Sequence, residues 1–192
     1  SLSGSLTELP NLAFYGCGIS DLCIPDSVTQ IGVETFSNCS SLSAVQLSRN
    51  LKTISHSAFY NCEELKSISF PGLETIGEAA FAQTALGSIS LPDTLTELGQ
   101  AAFYNIPQLK FAKIPGSLKT IPRSAFYNCY GLNAVELQEG IEIIEESAFA
   151  NASLRSLILP DSIIEIGDAA FQGVDYLSTI QLGSNLQLIG SK

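Results

Sequence analysis

Phenylalanine returns along this chain at Phe14, Phe36, Phe59, Phe81, Phe103, Phe126, Phe149 and Phe171, in steps of 22 or 23 residues. A fixed period of that length is the mark of a solenoid, in which each repeat forms one coil and rests on its neighbours. No other feature so narrows the folds open to 192 residues. The hexapeptide SAFYNC at Ser57–Cys62 recurs letter for letter at Ser124–Cys129, 67 positions on. A duplicated active site and a phrase the architecture needs many times would both produce it. Weaker copies of the same phrase along the whole chain favour the second.

The repeating wording is L-x-x-I-x-L-P-x-x-L-x-x-I-G-x-x-A-F-x-N-C, as in LPDTLTELGQAAFYNIPQLKFAKI. Its L-x-x-I-x-L part ends in apolar–polar alternation, which predicts a short half-buried strand. The inward pairs are Val45/Leu47, Ile68/Phe70, Ile89/Leu91, Val135/Leu137 and Ile180/Leu182. Stacked coil on coil, such strands form a parallel sheet with ~4.8 Å between neighbours. Pro25, Pro71, Pro92, Pro115 and Pro160 follow the strand, where a ring without N–H ends it. A second apolar stretch, L-x-x-I-G, crosses the opposite wall, and the recurring Ala-Phe pair predicts a buried phenylalanine spine.

Composition closes several functional classes. Nineteen Asp and Glu against nine Lys and Arg give a net charge of −10, a surface that repels phosphate backbones and anionic lipid, so nucleic acid is not an expected partner. No apolar run approaches the ~20 residues needed to span a bilayer. Five cysteines are too few for a disulfide scaffold, and His56 is the one histidine. HExxH, CxxC, GxSxG and glycine-rich phosphate loops are absent. No enzyme, cofactor or metal site is expected.

The phrase LP…L-x-x-I-G-x-x-A-F-x-N-C resembles the BspA-like class of bacterial leucine-rich repeats, and the resemblance runs from Leu6 to Gly190. It implies an α/β repeat solenoid: a right-handed coil with a parallel β-sheet on its concave face and short strands, turns or short helices elsewhere. It also implies a secreted or cell-surface protein of bacteria or mucosal protozoa, serving adhesion or host recognition rather than catalysis. A single domain over residues 1–192 with about eight coils is expected, beginning at Leu6–Pro10 and ending at Leu186–Gly190 within a repeat. With no capping repeat beyond Ser1–Ser5, the chain reads as a piece of a longer protein, or as one whose terminal coils are covered.

Four cysteines, Cys17, Cys39, Cys62 and Cys129, share the slot three residues after the phenylalanine with Thr84, Ile106, Ala152 and Val174. Such a mixture describes a small buried slot. Adjacent Cys17/Cys39 and Cys39/Cys62 are close enough for a disulfide by separation alone, but parallel side chains oppose that geometry. Asn38, Asn61, Asn105, Asn128 and Asn151 precede the slot as a structural ladder bonding backbone groups. That role outweighs the glycosylation sequons at Asn38 and Asn151. Cys23 falls at an outward strand position, and His56 reads as a solvated turn residue with no partner assigned.

The outward positions of the sheet carry the functional weight, because a solenoid offers its sheet as a long binding surface. Most are small or hydroxylic, Ser69 and Ser90 among them. Phe111 departs from this, with Lys113 beside it and Glu136 and Ile158 on following strands. Three readings stand: an aromatic anchor with charged flanks, as binding hot spots have, a single exposed aromatic without a role, or a side chain drawn inward because Ala112 fills its core slot poorly. Tyr15, Tyr60, Tyr104 and Tyr127 form an edge row that fits either a partner or a half-buried corner. Lysines and arginines at 110–123 precede glutamates at 136–146, so stacked coils can pair them. The ligand expected is a protein or glycan; the alternative role is a structural spacer in a larger surface protein. A cysteine hydrolase using Cys23 or Cys62 ranks last.

Overall fold

The computed structural model describes residues 6–191; Ser1–Ser5 and Lys192, which the expected domain includes, lie outside the described residues. Coils are numbered by their spine phenylalanine, coil 1 carrying Phe14 and coil 8 carrying Phe171. Each apolar stretch becomes a short strand, and all strand pairs are parallel. The first wall contains Asp21–Cys23, Ala44–Gln46, Ser88–Ser90, Phe111–Ile114, Ala134–Leu137, Ser156–Ile158 and Thr179–Gln181. The second wall contains two-residue strands, from Glu8–Leu9 in coil 1 to Leu188–Ile189 after coil 8. Between the walls the spine rings stack with centroids 5.2–5.6 Å apart and planes within 17° of parallel. Phe36, Phe59, Phe81, Phe103, Phe126 and Phe149 are wholly buried. The structure is a parallel-strand β-solenoid of stacked coils.

The α/β description is corrected: among the described residues there is no helix, and hence none long and apolar enough to cross a membrane. The reason lies in the A-F-x-N-C corner. Ala58, Tyr60 and Cys62 donate their N–H groups three residues back, to Ser55, Ser57 and Phe59. The alternate residues Ser57, Phe59 and Asn61 donate instead to Glu78, Ala80 and Ala82 of the next coil. A helix needs every N–H for itself; here half are committed to the stack. Left-handed residues also punctuate the corner at Ser57 (φ 50°) and Asn61 (φ 56°), and at the equivalent pair in each later coil. Such residues do not extend a right-handed helix.

A second correction concerns Ile68/Phe70, expected as a strand. Coil 3 has one residue fewer between its proline and the following leucine, Pro71-Gly72-Leu73 against Pro92-Asp93-Thr94-Leu95. Gly72 makes this tight turn at φ 65°. Phe70 packs edge-on against Phe81 (5.4 Å) and Phe103 (6.5 Å), and residues 67–70 leave the sheet.

The glycine that follows the second-wall strand in coils 2, 4, 5 and 8 marks close approach of coils. A Cβ on Gly77 would lie 2.5 Å from the backbone nitrogen of His56, and one on Gly167 2.7 Å from that of Glu146. The N–H groups in this slot donate to the preceding coil: Gly32 to Leu9, Ser55 to Ile31, Gly77 to Ile54, Gly99 to Ile76, Glu145 to Ile121, Gly167 to Ile144 and Gly190 to Ile166, at 2.7–2.9 Å. Coil 6 places Pro122 there. Accordingly the second wall divides into a sheet of five strands ending at Glu97–Leu98 and one of four beginning at Thr120–Ile121.

A longer period overlies the coil. From the cysteine slot to the next core leucine or isoleucine, coils 1, 4 and 7 have one intervening residue (Gly18, Ala85, Ser153), whereas the other coils have two. Ala85 and Ser153 make the same bond, donating their N–H to Leu65 and Leu132 of the preceding coil. The same three coils carry Pro25-Asp26, Pro92-Asp93 and Pro160-Asp161. Asp26 accepts the Arg49 N–H (2.9 Å) and Asp161 that of Ser184 (2.8 Å). Asn50 and Asn185 donate side-chain N–H groups to the carbonyls of the same two aspartates, each at 2.9 Å. The short connection thus recurs at every third coil, the interval that also separates the two SAFYNC copies.

Candidate binding surface on the first wall

Phe111–Ile114 pairs with Ser88–Ser90 on one side and Ala134–Leu137 on the other. Strand alternation turns Ala112 and Ile114 inward, both fully buried, and leaves Phe111 on the face at 36% exposure. Ala112 therefore keeps its core slot, and the inward reading of Phe111 is not what the structure has. In register, Ser88 and Ala134 flank Phe111, so small side chains leave the ring standing proud. Ser90, Lys113 and Glu136 form the adjacent row. Lys113 Nζ lies 2.7 Å from Glu136 Oε1. The hydrogen bond to Glu136, reinforced by its charge, holds the Lys113 amino group above its ordinary value. Ile158, one strand further, is 66% exposed, but its strand pairs with Thr179–Gln181.

The expected site is thus partly assembled. Phe111, Lys113, Ser90 and Glu136 share one continuous patch, Ile158 stands on the strand beyond it, and Ser69 is elsewhere. Ser69 belongs to the irregular segment of coil 3 and lines a cleft of about 990 Å³ with Asp21, Cys23, Gln46 and the edges of Leu22, Val45 and Ile68. In that cleft the exposed Cys23 donates a weak S–H bond to Gln46 Oε1 at 3.8 Å.

The ladder cysteines are free and do more than fill space. Cys39, Cys62 and Cys129 donate S–H bonds to the carbonyls of Phe14, Phe36 and Phe103, at 3.0, 3.2 and 3.1 Å, tying each coil to the one before. Burial pushes the Cys62 and Cys129 thiols up to about 12 and raises that of Cys39. Thiolate, the nucleophilic form, is scarce at neutral pH in such sites. Asparagine side chains also ladder, Asn61 Nδ2 to Asn38 Oδ1 and Asn151 Nδ2 to Asn128 Oδ1, each at 2.9 Å. Their corners adopt φ near 60°, which Asn tolerates.

Charges pair across coils at the period of the stack. The pairs include Asp26–Arg49, Lys52–Glu74, Lys119–Glu142 and Arg123–Glu146. His56 belongs to the same column, its Nδ1 3.9 Å from Glu78 Oε2, a partner the sequence had not indicated. Tyr104 and Tyr127 stack on the edge with centroids 5.6 Å apart, so each covers a face of the other. Sequence reasoning passed over Pro122, although its place in the glycine slot becomes plain once the repeats are aligned.

The BspA type leucine rich repeat region is the family whose profile matches, in six copies over residues 7–133 and 97–192. Among solved structures, a leucine-rich repeat protein from Bacteroides ovatus is 27% identical with a TM-score of 0.79, covering 96% of this chain and 55% of its own. The T. pallidum leucine-rich repeat protein TpLRR is 27% identical with a TM-score of 0.72, covering 90% of this chain and 72% of its own. A leucine rich cell surface protein from Faecalibacterium prausnitzii is 24% identical with a TM-score of 0.56, covering 91% of this chain and 63% of its own. This chain therefore spans about half the length of the Bacteroides ovatus protein. No curated protein sequence matches significantly.

Proposed function

The chain belongs to the BspA-type leucine-rich-repeat family, and from that membership we propose that it is a non-enzymatic binding module of a secreted or cell-surface protein. Residues 1–192 serve in this reading as one leucine-rich-repeat domain of about eight coils. The observation that carries it is the patch on coils 5 to 7, where exposed Phe111 and Ile158 flank the Lys113–Glu136 pair on a face otherwise built from small residues. An aromatic ring set among small neighbours offers a partner a dense apolar contact with charged groups at its border, the composition of energetic centres in interfaces. The description of the Faecalibacterium prausnitzii protein as a cell surface protein supports the location. The ligand is a protein or glycan outside the cell; the net charge of −10 disfavours polyanions.

Arrays of host proteins and glycans test this with the parent chain and with Phe111→Ala combined with Ile158→Ser. The double variant loses about 30-fold or more in affinity, the ~2 kcal/mol typical of a central anchor, with its unfolding midpoint unchanged. The serine-rich remainder of the face suits a structural spacer instead. Parent and variant binding alike would move the contact off this patch; neither binding at all, while coil deletions shorten the reach of the full protein, would favour the spacer.

A further inference from the structure

We propose that the joint between coils 5 and 6 is a hinge, closed on the first wall and the phenylalanine corner and open on the second wall. Every other second-wall joint among the described residues is stitched by backbone hydrogen bonds. Lys52 donates to Thr29, Glu74 to Lys52, Thr96 to Glu74, Glu142 to Lys119, Ile164 to Glu142 and Gln187 to Ile164, at 2.8–3.0 Å. The equivalent bond from Lys119 to Thr96 is missing, as is that from residue 122 to Leu98. Proline has no N–H to give. Glycine fills this slot in coils 2, 4, 5 and 8, while Ser55 and Glu145 fill it in coils 3 and 7 and still donate to the preceding coil. What sets Pro122 apart from these occupants of the slot is the missing N–H.

The consequences are visible in the packing. A cleft of about 520 Å³ runs along the second wall across this joint, from Ile76 and Gly77 past Leu98 and Pro122 to Glu145. Leu98 is half-buried, although Ile54, Ile76, Ile121 and Ile144 in its position are buried. On the opposite side the same two coils hold firmly. Phe111–Ile114 and Ala134–Leu137 pair over four residues, Lys113 bridges to Glu136, and Phe103 stacks on Phe126 at 5.4 Å. Ala101, Phe103 and Asn105 donate to Arg123, Ala125 and Tyr127 as in other joints. On the second wall the joint keeps, among the described residues, the bond from the Ser117 hydroxyl to the Leu95 carbonyl at the leading turn (2.7 Å) and lacks the backbone bonds beyond it. An interface bonded along two sides and at one corner of the third has one soft rotation, about an axis along the bonded sides. Phe111 on coil 5 and Glu136 on coil 6 sit on that axis.

Hydrogen exchange and interspin distances measure this without any ligand, so the outcome is independent of the binding role proposed above. In the parent chain the amides of Lys119 and Thr120 exchange about tenfold or more faster than those of Glu142 and Ile143, their counterparts one coil on. Pro122→Gly restores the donor and slows Lys119 and Thr120 about tenfold. For motion itself, spin labels at residues 97 and 142, in a Cys23→Ser background, give a broad distance distribution that narrows in Pro122→Gly. A control pair at residues 53 and 97, also two joints apart, is narrow throughout. Slow exchange of Lys119 and Thr120 in the parent, or equal widths for the two label pairs, overturns the hinge. Should Pro122→Gly fold poorly, these parent measurements decide alone.

Discussion

At the scale of single residues, the phenylalanine spine and the tyrosine edge differ by one position in sequence and by their whole environment. Phe103 is enclosed between Phe81 and Phe126, whereas Tyr104 is half-buried and touches Tyr127 across a wet edge. Phe103→Ala is expected to cost ~3–5 kcal/mol, since removal of a buried ring leaves a cavity that stacked neighbours on both sides cannot fill. Tyr104→Ala should cost well below that, and chemical denaturation of both variants measures the difference. Equal losses would reverse the inward and outward assignments. The spine was legible because eight phenylalanines fall in phase. The cysteine bonds were not, because a slot also filled by Ile106, Ala152 and Val174 gives no hint of an S–H donor. One left-handed row announces itself through asparagine; the other, at Glu34, Ser57, Ala79 and Ala101, uses residues with no such preference.

At the scale of the strand and its turn, the aspartate clamp shows how neighbouring coils are fixed in register. Asp161 accepts the Ser184 N–H, and that bond, aided by the serine side chain, holds its carboxyl below the ordinary range. A carboxyl depressed on folding adds stability that is present above its unfolded value of ~3.9 and is lost as pH falls through the folded value. The stability difference between the parent and Asp161→Asn should therefore be steady near neutrality and shrink below about pH 4. Thermal melts across that range check it; a difference that grows on acidification would contradict the clamp. Strand alternation exposed most of the first wall, including the outward Phe111, Lys113 and Glu136. It failed at Ile68/Phe70 because a single missing residue near Gly72 changes the path while leaving the apolar alternation intact. It failed for the corner because the expectation of short helices came with the family resemblance. No local pattern reveals that alternate N–H groups point to the next coil.

At the scale of the whole molecule, coil follows coil but the short connection recurs only every third coil, at Gly18, Ala85 and Ser153. The short connections of coils 4 and 7 rest on long ones before them, Ala85 on Leu65 and Ser153 on Leu132. Removing residues 57–123 joins His56 to Ser124, excises three coils' worth of chain and leaves the order of short and long connections unbroken. Removing residues 34–78 joins Val33 to Ala79 and sets coil 4 on coil 1, a short connection on a short one. The deletion of 57–123 is expected to unfold in one cooperative transition, whereas that of 34–78 should lose cooperativity; calorimetry distinguishes them. The same geometry bears on how such a gene can change length. Recombination between the stretches encoding the two SAFYNC copies adds or removes 67 residues at a stroke, so a misaligned exchange of strands yields a longer or shorter protein whose every coil still meets the kind of neighbour it was shaped against.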